Sequence, residues 1–169
     1  VPGLKDKRGY LLPVDANPNL VEITGYPVDV LYDNLAKTDA KSVTVYLDAC
    51  FSGDSPKGMI VSASSGLSVT PRLPKENMGL TIVTAAQGDQ LASWDQDAKL
   101  GLFTKNLLSA LNGAADKDDY GNGDGKISLN EVQKYLDDEM SYQARRRWSR
   151  EQQATVMGNP ATVLSTVVQ

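Results

Sequence analysis

Two short runs constrain the fold more than anything else in the chain: SVTVYLDA at 42–49 and LTIVTAA at 80–86. Both are rich in β-branched residues and nearly unbroken in apolar character, the pattern of strands covered on both faces. Such strands need helices above and below their sheet. PVDVLYDNLAKTDA at 27–40 sets Val28, Leu31, Tyr32 and Leu35 at helical spacing, with Pro27 suited to the first turn. LFTKNLLSALNGA at 102–114 puts Phe103, Leu107, Leu108 and Leu111 on one face and stops at Gly113. SLNEVQKYLDDEM at 128–140 opens with Ser128 and Glu131 at capping-box spacing. A short apolar segment, Tyr10 to Val14, reads as a strand emptying into a loop at Pro13-Val14-Asp15, and the tail carries strand-like ATVM and ATVLSTVV. The order strand, helix, strand, loop, strand, helix, helix, strand predicts an α/β sandwich with a largely parallel sheet.

At 169 residues and 41% hydrophobic, the chain is long enough for one domain with a core, which buries roughly two thirds of the unfolded surface. No repeat or linker divides it, so residues 1–169 are read as one domain. The net charge of -4 gives no electrostatic case for nucleic acid or an anionic membrane. The one basic cluster, Arg145-Arg146-Arg147-Trp148, reads as a solvated helix end or a carboxylate partner. No apolar stretch reaches bilayer-spanning length, and VPGLKDKRGY lacks a basic-then-apolar leader pattern. The chain reads as soluble and leans cytoplasmic, although a single cysteine leaves the redox compartment open.

That cysteine, Cys50, stands at the end of the 42–49 run, just before Ser52-Gly53. Ligands of open α/β sheets gather at the carboxyl ends of strands, which is where a reactive thiol is useful. Buried filler, the alternative, suits mid-strand better. Residues two apart on a strand share a face, so Asp48 and Cys50 are expected to point the same way.

Asp48-Ala49-Cys50-Phe51-Ser52-Gly53 behind an apolar strand resembles the nucleophile segment of the caspase-like cysteine peptidases, and metacaspases and their bacterial relatives more than animal caspases. Tyr10-Leu11-Leu12-Pro13-Val14-Asp15, Thr84-Ala85-Ala86, Ser93-Trp94-Asp95 and Gly101-Leu102-Phe103-Thr104 follow in the family's order and approximate spacing. The resemblance implies a caspase-like three-layer α/β sandwich with a mostly parallel central sheet, Cys50 as nucleophile, and a histidine base about fifty residues upstream of it. The chain contains no histidine. The expectation is therefore a fragment that begins just after its catalytic histidine, inactive alone, with the missing N-terminal segment of the same protein as a required partner. A free thiol is only a few per cent thiolate at neutral pH, and a histidine both raises that fraction and protonates the leaving amine.

By the same resemblance, the acid two before the cysteine belongs to the pocket that holds Arg or Lys of the substrate. Asp48 matches that position, and a carboxylate suits a planar guanidinium. Asp95, after Ser93-Trp94, stands where caspases carry an arginine that reads acidic substrates; Asp15 adds a third candidate acid. Asp15 and Asp95 each read equally well as turn or surface carboxylates. The glycine-, serine- and proline-rich residues 52–79 are expected to form a long functional loop, with Met59-Ile60-Val61 offering a short strand. Its Lys57, Arg72 and Lys75 are candidate self-processing points.

DYGNGDGKISLNE, at 119–131 within an acidic loop at 116–131, resembles an EF-hand loop. Asn122, Asp124, the Lys126 carbonyl, Ser128 and Glu131 fall at ligand positions for Ca²⁺. Tyr120 occupies the first, with Asp119 one residue early. A glycine-rich turn capped by Ser128 is the competing reading. The leading expectation is a cysteine endopeptidase that cleaves a peptide or protein substrate after Arg or Lys and needs no cofactor for its chemistry. The alternatives are a non-catalytic caspase-like scaffold and a calcium-responsive module.

Overall fold

The computed structural model describes residues 8–17, 20–49, 54–55, 58–59, 79–87, 90–117 and 119–167. In chain order the elements are β1 (Tyr10–Leu11), α1 (Val21–Thr24), β2 (Tyr26–Pro27), α2 (Val28–Leu35), β3 (Val43–Leu47), β4 (Asp54–Ser55) and β5 (Gly58–Met59). They continue with β6 (Leu80–Thr84), β7 (Trp94–Asp95), β8 (Leu100–Gly101), α3 (Leu102–Leu111), β9 (Lys126–Ser128) and α4 (Leu129–Tyr135). Last come α5 (Ser141–Trp148), β10 (Thr155–Met157) and β11 (Val163–Thr166); a π-helical stretch, Leu136–Met140, joins α4 to α5.

The two β-branched runs form the pair that organises the molecule. β3 and β6 lie parallel, with Val45 opposite Ile82. β10 joins the other edge of β6 antiparallel, Val156 opposite Val83, which gives the order β10-β6-β3. Among the described residues the central sheet is thus a parallel pair with one antiparallel edge strand. The cause is local: the chain leaving α5 arrives at the carboxyl end of β6, where Gln87 Nε2 donates to Ala154 O at 3.0 Å, and so runs back along it. An antiparallel edge strand on a parallel pair is a common arrangement.

Alternation along β6 separates two apolar clusters and makes the layers. Leu80 and Ile82, with Val45, pack against Val28 and Tyr32 of α2. Val83 and Ala85 pack against Leu102, Phe103 and Leu107 of α3, Val132 and Tyr135 of α4, Met140 and Ala144. This α/β sandwich buries every residue of β6. In β3 only Val45 is buried, and Tyr46 is half-exposed, because β3 has one strand neighbour among the described residues.

Two local expectations gain detail, and a third lies largely outside the described residues. The strand at Tyr10 spans two residues and pairs with β2, since Pro13 lacks an amide and Val14-Asp15 turns. β11, from the strand-like tail, pairs with β9 outside the central sheet. Met59 pairs within the β4–β5 hairpin, while Ile60 and Val61 lie outside the described residues, as do Lys57, Arg72 and Lys75. The capping box is present: Ser128 Oγ accepts from Glu131 N, and the Glu131 carboxylate accepts from Ser128 N at 2.8 Å.

Candidate active site

Asp48 is the first residue beyond β3, at the carboxyl end of the parallel pair, where Leu47 O accepts from Ala85 N at 2.9 Å. Its side chain is exposed, and one oxygen is fixed. Oδ2 accepts from Thr104 Oγ1 at 2.5 Å and from Thr104 N at 3.3 Å. Thr104 is the third residue of α3, whose N-cap, Gly101, has no side chain to offer the free amides. Asp48 performs that capping from 56 residues away. Oδ1 makes no hydrogen bond among the described residues. Cys50, two residues on, lies outside the described residues.

Gly101 also carries Asp48 to the Ser93-Trp94-Asp95 segment. It pairs with Trp94 across the β7–β8 hairpin, and Leu102 N donates to Ser93 O at 2.8 Å. Trp94 is 45% exposed. The hairpin is held from behind by Gln152, which is fully buried. Its Oε1 accepts from Ser93 N at 2.8 Å, and its Nε2 donates to Ala85 O at 2.9 Å.

The three candidate acids occupy different surroundings. Asp95 is 1% exposed and turned inward: Oδ2 accepts from Lys105 Nζ at 2.6 Å and Arg147 NH1 at 3.2 Å, and Oδ1 accepts from the amides of Asp97 and Ala98, each at 3.1 Å. The Lys105 hydrogen bond first, then the Ala98 amide and the charges of Lys105 and Arg147, outweigh burial and hold its carboxyl below the ordinary range. Asp15 sits in an exposed turn after Pro13. Of the three, only Asp48 combines exposure with a side chain fixed by hydrogen bonds. The basic cluster is occupied with neighbours: Arg145 pairs with Glu151 at 3.5 Å, Arg146 donates to Tyr142 Oη at 2.7 Å, and Arg147 reaches Asp95.

The acidic loop gathers Asn122, Asp124, Lys126, Ser128 and Glu131 around a hollow of about 530 Å³ that Asn130, Pro160, Ala161 and Val163 complete. Asp119 is exposed and does not line it. Asp116 closes the loop, accepting from Gly123 N at 2.9 Å with Oδ1 and from Gly125 N at 2.8 Å with Oδ2. Asn122 Oδ1 and Asp124 Oδ1 likewise accept loop amides, from Asp124 and Lys126. Tyr120, at the first loop position, donates instead toward Asp138 at 3.0 Å and Glu139 at 3.2 Å on the π-helical stretch. Among the described residues no three His, Cys, Asp or Glu side chains converge as a ready-made metal cluster.

Gly101, Thr104, Gln152 and Asp116 were not picked out individually from the sequence. A glycine opening a helix, with no Ser, Thr, Asp or Asn to cap it, is the one local signal that a cap comes from elsewhere.

The fold is an α/β sandwich whose parallel pair runs out at Asp48. The caspase-domain family model matches residues 2–159, and the chain belongs to that family. None of the curated proteins matches the chain. A peptidase domain implies peptide or protein substrates. Among the described residues no helix is long and apolar enough to cross a membrane.

Proposed function

We propose a cysteine endopeptidase that cleaves after Arg or Lys, with Cys50 as nucleophile and its histidine base supplied from outside these 169 residues. The observation that carries the specificity is Asp48: an exposed carboxylate two residues before the cysteine, oriented by Thr104 and lying against Gly101. In this reading the thiolate attacks the scissile carbonyl carbon, backbone amides including that of Cys50 hold the oxyanion, and the histidine protonates the departing amine. Water then releases the acid from the thioester. A guanidinium or ammonium on the substrate forms charge-assisted hydrogen bonds with Asp48, typically about 1.5 to 3 kcal/mol each, enough for roughly tenfold discrimination or more. A substrate aspartate facing Asp48 loses hydration and gains repulsion together. The cation also offsets the penalty that a neighbouring carboxylate places on the thiolate.

The test is kcat/KM of the full-length protein on matched fluorogenic peptides ending in Arg, Lys, Asp and Gln, with Asp48→Asn as control. Preference for Arg and Lys that collapses in Asp48→Asn is expected. Cleavage after Asp, or an Arg preference untouched by the substitution, would remove Asp48 from substrate reading. Failure to hydrolyse any peptide favours a caspase-like scaffold.

A second reading attaches to the acidic loop, favoured by five proposed oxygen ligands around one hollow. It is a hard-cation site, Ca²⁺ in the first instance, using Asp124, Glu131, Asn122, Ser128 and the Lys126 carbonyl. Several of these oxygens already accept hydrogen bonds within the loop, which supports weak or moderate rather than tight binding.

A further inference from the structure

We propose that Gly101 and Thr104 are positioning residues for Asp48, and that they set substrate specificity by fixing the direction its carboxylate presents. The inference rests on Asp48 as the substrate acid and adds what makes it one. A Cβ built on Gly101 would lie 2.0 Å from Asp48 Oδ2, 2.7 Å from Cγ and 2.9 Å from Oδ1, so the carboxylate lies directly against the glycine. Backbone conformation does not demand glycine here: φ is -58° and ψ 143°, values any residue adopts. Space for Asp48 is the requirement.

Thr104 supplies the second constraint. Its hydroxyl and amide both donate to Oδ2, which pins one oxygen and leaves Oδ1 for an incoming donor. Hydrogen bonds to an ionised acceptor are short and strong, and the amide lies in the first turn of α3, where a negative charge is favoured. An exposed aspartate without such a clamp samples several rotamers, and recognition of a cation then carries the cost of ordering it. With the clamp, that ordering is complete before the substrate arrives.

A helix cap with no part in recognition would affect every substrate alike, and this separates the two roles. In the full-length peptidase, kcat/KM is measured for matched peptides ending in Arg, Lys and Gln with Thr104→Val, Thr104→Ser, Gly101→Ala and Asp48→Asn. Thr104→Val is expected to lower the Arg-over-Gln ratio about tenfold, chiefly through KM, as the loss of one charged hydrogen bond implies. Thr104→Ser restores the ratio, Gly101→Ala lowers it, and Thr104→Val added to Asp48→Asn changes it no further. Should Gly101→Ala fail to fold, the Thr104 pair decides alone. A Thr104→Val enzyme that keeps the ratio, or loses activity equally on all three peptides, overturns the inference while leaving Asp48 in its role. If Asp48→Asn itself keeps the ratio, the reading of Asp48 falls instead, and this one with it.

Discussion

Asp95 Oδ2 lies 2.6 Å from Lys105 Nζ, joining the β7–β8 hairpin to α3 through an aspartate that is almost wholly buried. Arg147 reaches the same oxygen from α5. Removing the charge leaves two partly exposed cations facing a buried amide. Asp95→Asn is expected to cost about 2 to 3 kcal/mol in urea unfolding. The folded pKa is depressed, so the unfolded state takes up protons first as the pH falls. The contribution is present above the ordinary value of 3.8 and is lost as pH drops through the lower folded value. Stability of Asp95→Asn measured against pH should therefore decline less steeply in that acid window.

Tyr32 is buried under the sheet by α2, and its hydroxyl has no hydrogen-bond partner among the described residues. Burial pushes the phenol from 10.0 up to about 12. Its neutral form is favoured by folding, so stability is full below pH 10 and falls as the unfolded chain ionises between the two values. Tyr32→Phe removes an unsatisfied polar group and should raise stability by about 1 kcal/mol at neutral pH. Alkaline melts should also lose part of their decline between those two pH values.

Cys50→Ala in the full-length protein should abolish peptide hydrolysis and leave circular dichroism and melting temperature unchanged. Hydrolysis at the parental rate would end the nucleophile assignment. The 169 residues alone should be inactive or nearly so, because loss of a general base costs at least about 10²-fold in rate.

Isothermal titration at millimolar calcium should give weak to moderate heat, and Glu131→Gln should remove most of it. Glutamine still serves the capping box with Ser128, so α4 remains intact and the loss reports the ligand. No heat from the parent protein would remove the cation reading of the loop.

Much of the sandwich was legible because its signals are local. The β-branched runs of β3 and β6, the helical spacing of α2 and α3, and the Ser128–Glu131 box each lie within a dozen residues. What escaped depends on partners distant in sequence. Asp95 matched a substrate-facing position, yet its surroundings come from Lys105, 10 residues away, and Arg147, 52 away. Gln152 is polar in sequence and fully buried in the fold because the Ser93 amide and the Ala85 carbonyl, 59 and 67 residues off, need a partner. Asp48 was singled out as an acid, but its role as cap for α3 was invisible without the chain crossing that brings Thr104 to it.

The Asp116 carboxylate ties Gly123 and Gly125 together. Loops that collapse around an ion convert a rise in its concentration into movement, because ordering the chain and binding the ion are one event. Here the turn is already drawn shut by the protein's own anion, so little remains for a cation to order. A divalent ion lodging in the adjacent hollow would meet a turn already in place, so the movement its arrival could cause is small.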